Sequence, residues 1–216
     1  MQKLSRNDHI DLYRHLAFCT VGGFFGCYAV LIHSGVMGNA QTVNLIELLL
    51  DALRGDLHAV LLHLGALVLY VLGTMLTVLL PHWWGWDMHY VSPVITAAAA
   101  VAVAFLPETL NTTANAVVSF VCAMQVQTFR KVRGHAYAST MCIGNMRSGT
   151  EALCAYFHTG DKEILHKALT YFGVVLLFAL GAGVGSIATL HWGAGTIWLS
   201  CGLLAVSFLI MFVHDE

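Results

Sequence analysis

Residues 165–190 read LHKALTYFGVVLLFALGAGVGSIATL, and from Ala168 to Leu190 the run contains no Asp, Glu, Lys or Arg. A helix that crosses a bilayer needs about 20 consecutive, mostly apolar residues. This stretch meets that need with no polar face left for water, so it predicts a helix in lipid. The rest of the chain has the same character. Of its 216 residues 58% are hydrophobic and 10% charged, with a mean hydropathy of +0.73. Soluble domains carry about 25% charged residues, so the composition excludes a disordered chain and argues against a soluble domain or a nucleic-acid binder. Ten Lys and Arg against twelve Asp and Glu leave a formal charge of −2.

Apolar runs bounded by polar or Pro-containing joints predict six spans: Leu16–Ile32, Leu57–Leu80, Val91–Leu106, Thr113–Phe129, Leu165–Leu190 and Trp192–Val213. Two further segments, Asn39–Leu53 and Ser139–Phe157, are only half apolar. The first carries Gln41, Asn44, Glu47 and Asp51, the second Asn145, Arg147 and Glu151. A charge at the bilayer centre costs roughly 3 kcal/mol on insertion scales, so neither segment faces lipid along its length. They are expected as short re-entrant or broken helices shielded by neighbours. Lys3, Arg6 and Arg14 precede the first span, and Arg130-Lys131-Val132-Arg133 follows the fourth. With the polar segments re-entrant, both basic clusters and both termini are expected in the cytoplasm. The polar start of the chain and the length of the first apolar run predict a retained span and no cleaved signal. The six cysteines form no CxxC pair and are expected as free thiols.

The two polar segments repeat one another. Gly38-Asn39-Ala40-Gln41-Thr42-Val43-Asn44 parallels Thr140-Met141-Cys142-Ile143-Gly144-Asn145, with Asn44 aligned to Asn145. Each stretch runs on to a Gly-Asp pair, Gly55-Asp56 and Gly160-Asp161, followed by a long apolar helix with interior glycines. The expected fold is therefore all-α: one membrane domain over residues 1–216, made of two repeats, 10–107 and 113–213. Three spans and one re-entrant helix per repeat give the halves opposite senses, the inverted-repeat plan of many transporters.

On these residues the sequence resembles the YoaK family (DUF1275) of bacterial inner-membrane proteins. The resemblance is carried by Gly22-Gly23-Phe24-Phe25, by Gly38–Asn44, by Gln127 before Arg130-Lys131, and by Ser139-Thr140-Met141-Cys142-Ile143-Gly144-Asn145-Met146-Arg147-Ser148. Val43 and Ile143 depart from the family's usual glycine and threonine. Gly26 and His33 stand where the family commonly has an acid and an arginine. The resemblance implies a multi-pass protein of the bacterial inner membrane, of a kind suspected to transport a solute.

A helix that starts inside the membrane aims unpaired N–H groups, worth about half a positive charge, at whatever lies before it. Asn39, Thr42, Thr140, Asn145 and Ser148 are residue types that cap or line such ends. Two opposed half-helices would form a small polar pocket for an anion or carboxylate. Arg147 would add a planar fork, unless it pairs with Glu151 one turn on. The candidate substrate-binding residues are Asn39, Gln41, Thr42, Asn44, Gln127, Thr140, Asn145 and Arg147. Gln125, two positions from Gln127, cannot share its face and is expected to bond a neighbouring helix. His33, Glu47 and Glu151 are candidates for proton coupling, because desolvation and neighbouring charge set their titration.

Of twelve histidines only His33 and His63 fall at helix depth, and no HxxxH or HxxE pair occurs, so neither a metal nor a cofactor is expected. Trp83, Trp84, Trp86, Tyr90, Trp192 and Trp198 fit interfacial belts. No nucleophile motif, P-loop or dinucleotide fingerprint is present, and no enzyme is expected. The reading is a transporter of a small polar, anionic solute across the bacterial inner membrane. An ion or solute channel and a non-transport membrane sensor are the alternatives. Its partners are a small molecule or ion, lipid, and no nucleic acid. The glycines of Gly181-Ala182-Gly183-Val184-Gly185 suit close contact within the chain or across a homodimer.

Overall fold

The structure, a computed structural model, describes residues 6–32, 38, 40–106, 110–132, 135–136 and 142–211. Helices dominate it: α1 (Arg6–Ile32), α2 (Gln41–Arg54), α3 (Leu57–Trp84), α4 (Met88–Ala104), α5 (Asn111–Thr128), α6 (Cys142–Thr159), α7 (Lys162–Trp192) and α8 (Ile197–Met211). A single 3-10 turn, Gly193–Thr196, joins α7 to α8. Among the described residues the β structure is one two-residue antiparallel pair, Lys131–Val132 (β1) with His135–Ala136 (β2), which sets Lys131 opposite Ala136.

The two Gly-Asp pairs make the same corner twice. Gly55 ends α2 in the left-handed region at φ 76°, and the Asp56 carboxylate then accepts from the Ala59 N–H to start α3. Gly160 ends α6 at φ 66°, and Asp161 accepts from the Glu163 N–H to start α7. Glycine reaches positive φ without a Cβ clash, and aspartate satisfies an orphan N–H of the next helix. Asp87 starts α4 likewise, accepting from the His89 N–H. Partial burial pushes the Asp87 carboxyl up, but hydrogen bonds from His89 outweigh this and hold it below the usual aspartate range.

Packing pairs α1 with α7, α3 with α5, α2 with α3, α6 with α7, α4 with α5, α8 with α1, and α4 with α8. Exchanging α1–α4 for α5–α8 returns the same set of pairs. In the first pair Thr20 lies against Gly181, Phe24 against Gly185, Cys27 against Ser186 and Tyr28 against Ala194. The contacts advance together, so α1 and α7 run in the same direction. The same is true of α3 and α5, where Gly73 meets Phe120 and Leu80 meets Met124. A Cβ on Gly181 would collide with the Thr20 carbonyl, and one on Gly73 would stand 2.5 Å from the Phe120 carbonyl. The backbones therefore cross where glycine lets them approach. Gly181 and Gly185 are used inside the chain, whereas Gly183 faces open space.

Two described stretches are long and apolar enough to cross a membrane: Leu57–Trp84, and Lys162–Ser207, in which α7 continues through the turn into α8. Ala17–Ile32 and Met88–Ala104 are apolar but shorter. The expected span Thr113–Phe129 lies within α5 and Phe129, and it fails the same test. The physical reason is that α5 gives positions to buried polar side chains, Asn115, Ser119 and Gln125. The interior holds further polar groups, including Ser92, Thr96, Thr189, Ser200 and Ser207, while leucines and valines are exposed on α3, α7 and α8. Only 17% of the most apolar window of α3 is buried. In water that arrangement would expose the surface folding normally removes.

Candidate functional site

The first turns of α2 and α6, far apart in sequence, open onto one cavity of about 650 Å³. Ala40, Gln41, Thr42 and Val43 line it from α2, and Cys142, Ile143 and Gly144 from α6. Its walls come from Gly23, Gly26, Cys27 and Val30 of α1, from Phe178 and Ala182 of α7, and from Tyr70 of α3. At Gly23 this wall is closed by direct backbone contact between α1 and α7, because a Cβ there would collide with the Phe178 carbonyl.

No side chain caps the N-terminus of α2. Its first turn is braced from within: Gln41 Nε2 donates to the Gly38 carbonyl at 2.8 Å, and Asn44 Nδ2 donates to Gln41 Oε1 at 3.0 Å. Gly38 itself is wedged against Val118 and Ser119 of α5. Asn44 is fully buried, and Asn145 keeps only 2% exposure on α6. The aligned asparagines therefore stand behind the cavity, each on the inner face of its short helix. Gln41 and Thr42 are at the lining, and Gln41 is fixed by Asn44.

Arg147 is placed elsewhere. Its side chain is 79% exposed, and its Nε donates to Glu151 Oε1 at 2.9 Å. Of the two arrangements the sequence offered, this is the pairing with Glu151: at i and i+4 on an outward face the guanidinium has a partner outside the cavity. Glu151, 63% exposed in that pair, does not face the cavity either. Glu47 is half-buried on α2 and Gln127 half-buried on α5, and neither lines the cavity. Gln125 Nε2 donates to the Phe18 carbonyl at 2.9 Å, an inter-helix bond as its spacing predicts. Asn39, Thr140 and His33 lie outside the described residues.

Sequence reasoning passed over Cys27, Tyr70 and Cys142. Cys142 opens the second repeat motif and was legible there. Cys27 and Tyr70 carry no local signal and reach the site only through helix packing. None of the cavity's lining residues is charged, and most of its wall is apolar. What polarity it has comes from the Gln41 and Thr42 side chains, the Tyr70 hydroxyl, two thiols, and two helix N-termini with their partial positive charge. Such a site can hold a small solute by an electronegative group at the helix ends while its remainder packs on α1 and α7. Among the described residues no group of three or more His, Cys, Asp or Glu side chains could hold a metal ion.

Fold and site together define a class: an all-helical protein with two membrane-capable helices and a cavity between the first turns of two short ones. The chain belongs to the DUF1275 family, described as "Protein of unknown function", which matches residues 15–210. No curated protein and no solved structure matches it.

Proposed function

We propose that the chain is a multi-pass membrane transporter that moves a small polar, anionic solute through the cavity between α2 and α6. The observation that carries this reading is the meeting of two helix N-termini, one from each half of the chain, at one cavity. Backbone that breaks off inside lipid must find partners, and a cavity of this kind is where transporters place it.

Spans α1, α3, α4, α5, α7 and α8 fit the packing directions if α2 and α6 each run from mid-depth to a surface. Then α1 and α7 point one way and α3 and α5 the other, so the halves are inverted. In this arrangement the basic residues Arg6, Arg14, Arg130, Lys131, Lys162 and Lys167 fall at one side, and Arg54 falls at the other. That asymmetry supports a cytoplasmic assignment for the Arg-rich side. The exposed Trp83, Trp84, Trp86, Trp192 and Trp198 stand at helix ends, where interfacial aromatics belong. The exposed leucines and valines of α3, α7 and α8 then face acyl chains instead of water.

The test is a thermal-shift screen of small anions, carboxylates and amines on purified full-length protein. A ligand at a hundred times its dissociation constant stabilises by about 2.7 kcal/mol. Anions and carboxylates are expected to raise the melting temperature and to slow labelling of Cys142 by a neutral maleimide. Stabilisation by amines alone, or no protection of Cys142, overturns the reading.

A further inference from the structure

Away from the cavity, α2 and α3 meet on a buried pair of titratable side chains. Asp51 and His63 keep only 8% and 9% exposure. Asp51 Oδ1 accepts from Arg54 Nη1 at 3.1 Å, and Asp51 Oδ2 stands 3.6 Å from His63 Nε2. His63 Nδ1 is buried with no hydrogen-bond partner among the described residues. Buried polar atoms are nearly always satisfied, so an orphan of this kind asks for an explanation.

The second half of the chain supplies a control. Ala152 stands to Asn145 as Asp51 stands to Asn44, and Ala168 stands to the cap Asp161 as His63 stands to Asp56. Both alanines are buried. The segment from Asn145 to its Gly-Asp corner is four residues longer than that from Asn44, and at these counterpart positions the second half buries methyl groups where the first buries an acid and an imidazole, side chains costly to bury.

We propose that Asp51 and His63 form a proton-binding site that controls the seating of α2 on α3, and through α2 the cavity at its N-terminus. The coupling rests on the reading of that cavity as a solute site. In the tautomer with Nε2–H on the side of the Asp51 carboxylate, 3.6 Å away, the neutral ring holds its lone pair on Nδ1. One proton from water at the α2–α3 corner adds to Nδ1 and gives an imidazolium beside an ionised Asp51. His63 lies six residues into α3, roughly 9 Å from that corner. The pair passes from net negative to neutral, which strengthens the hold of α3 on α2, and release of the proton loosens it. Gln41, Thr42 and Val43 at the other end of α2 line the cavity, so a shift of this short helix changes the cavity's shape.

The groups around His63 are few. Arg54 and Asp51 face it from α2, with the half-buried Glu47 one turn before Asp51. Helix α5 carries no Asp, Glu, Lys, Arg or His, and its one titratable side chain is Cys122. On α4, His89 and Tyr90 lie near the opposite end of α3, and on α3 itself His58 is exposed while Tyr70 lines the cavity.

Two measurements on full-length protein in detergent test the inference. The first follows the His63 ring by NMR of histidine-labelled protein from about pH 8 to about pH 5.5, the range that brackets imidazole titration. The His63 ring signals are expected to change across this range, and to change differently in Asp51→Asn, where an opposite charge is removed. The second compares the labelling rate of Cys142 by a neutral maleimide in wild type and His63→Gln, read by peptide mass spectrometry. The ratio of the two rates cancels the thiol's own pH dependence, and it is expected to change about fivefold across the range. His63→Asn is the second variant should the first not fold, and the Asp51→Asn comparison needs neither. A ring that takes up no proton, or one indifferent to Asp51→Asn, overturns the site. Labelling at a constant ratio overturns the coupling alone. No labelling at any pH overturns the cavity reading and the coupling with it.

Discussion

Arg147 illustrates what a residue's type does and does not reveal. A guanidinium one turn into a helix that opens on a cavity has the right chemistry for a carboxylate, and the right spacing to pair with Glu151 instead. Geometry holds the second arrangement, with both side chains mostly exposed. Arg147→Gln is expected to leave solute affinity within about twofold of wild type, since no contact with the cavity is lost. Thr42→Val, which keeps the shape but removes a hydroxyl at the lining, is expected to weaken binding about fivefold, the worth of one hydrogen bond. Solute titrations on both variants decide it, and a large loss from Arg147→Gln with none from Thr42→Val would move the site to the outer face of α6. The asparagines are legible because they repeat, and their burial is not. Asn44 holds Gln41, and Gln41 meets the cavity. The Asp51–His63 pair was not legible as a pair, because a single chain does not announce which acid faces which imidazole across a corner.

At the scale of elements the sequence carried more. The half-apolar segments became the two short helices, and the Gly-Asp pairs became the corners that follow them, for reasons local to those residues. The glycine run in α7 was recognisable as a packing surface, but its partner was not, because α1 and α7 are joined only through the fold. Contact with α1 at Gly181 and Gly185 now separates those positions from Gly183. Gly181→Ala is expected to cost about 1–3 kcal/mol or more, as overpacking does when backbone must move. Gly73→Ala on α3 meets the Phe120 carbonyl and is expected to behave the same way. Gly183→Ala, with open space around it, is expected to change stability by less than about 0.5 kcal/mol, as surface substitutions do. Thermal melting of the three variants in one detergent makes the comparison. A destabilised Gly183→Ala beside a tolerant Gly181→Ala would place the α7 contact on a second copy of the chain instead of on α1.

For the whole molecule the question is whether the two halves are inverted, and the corners are the place to test it. Under the proposed arrangement the α2–α3 corner and the α6–α7 corner are built alike and lie on opposite membrane faces. Arg54 and Lys162 mark them, each exposed and neither a capping residue. Lys162→Cys removes an exposed side chain, whereas Arg54→Cys also removes the ion pair to Asp51, so the melting temperature of that variant is measured alongside its labelling. In a background with Cys142, which lines the cavity, and the exposed Cys154 replaced by serine, Arg54→Cys is expected to react in intact cells with a membrane-impermeant thiol reagent. Lys162→Cys is expected to react only after the membrane is opened. The prediction follows from charge as well as direction: moving a basic cluster across a membrane is disfavoured, and Lys162 and Lys167 belong with Arg130 and Lys131, whereas Arg54 stands apart. Equal labelling of both positions from outside would make the halves parallel. The two helix N-termini would then approach from one face, and a cavity reached alternately from two sides would lose its structural basis.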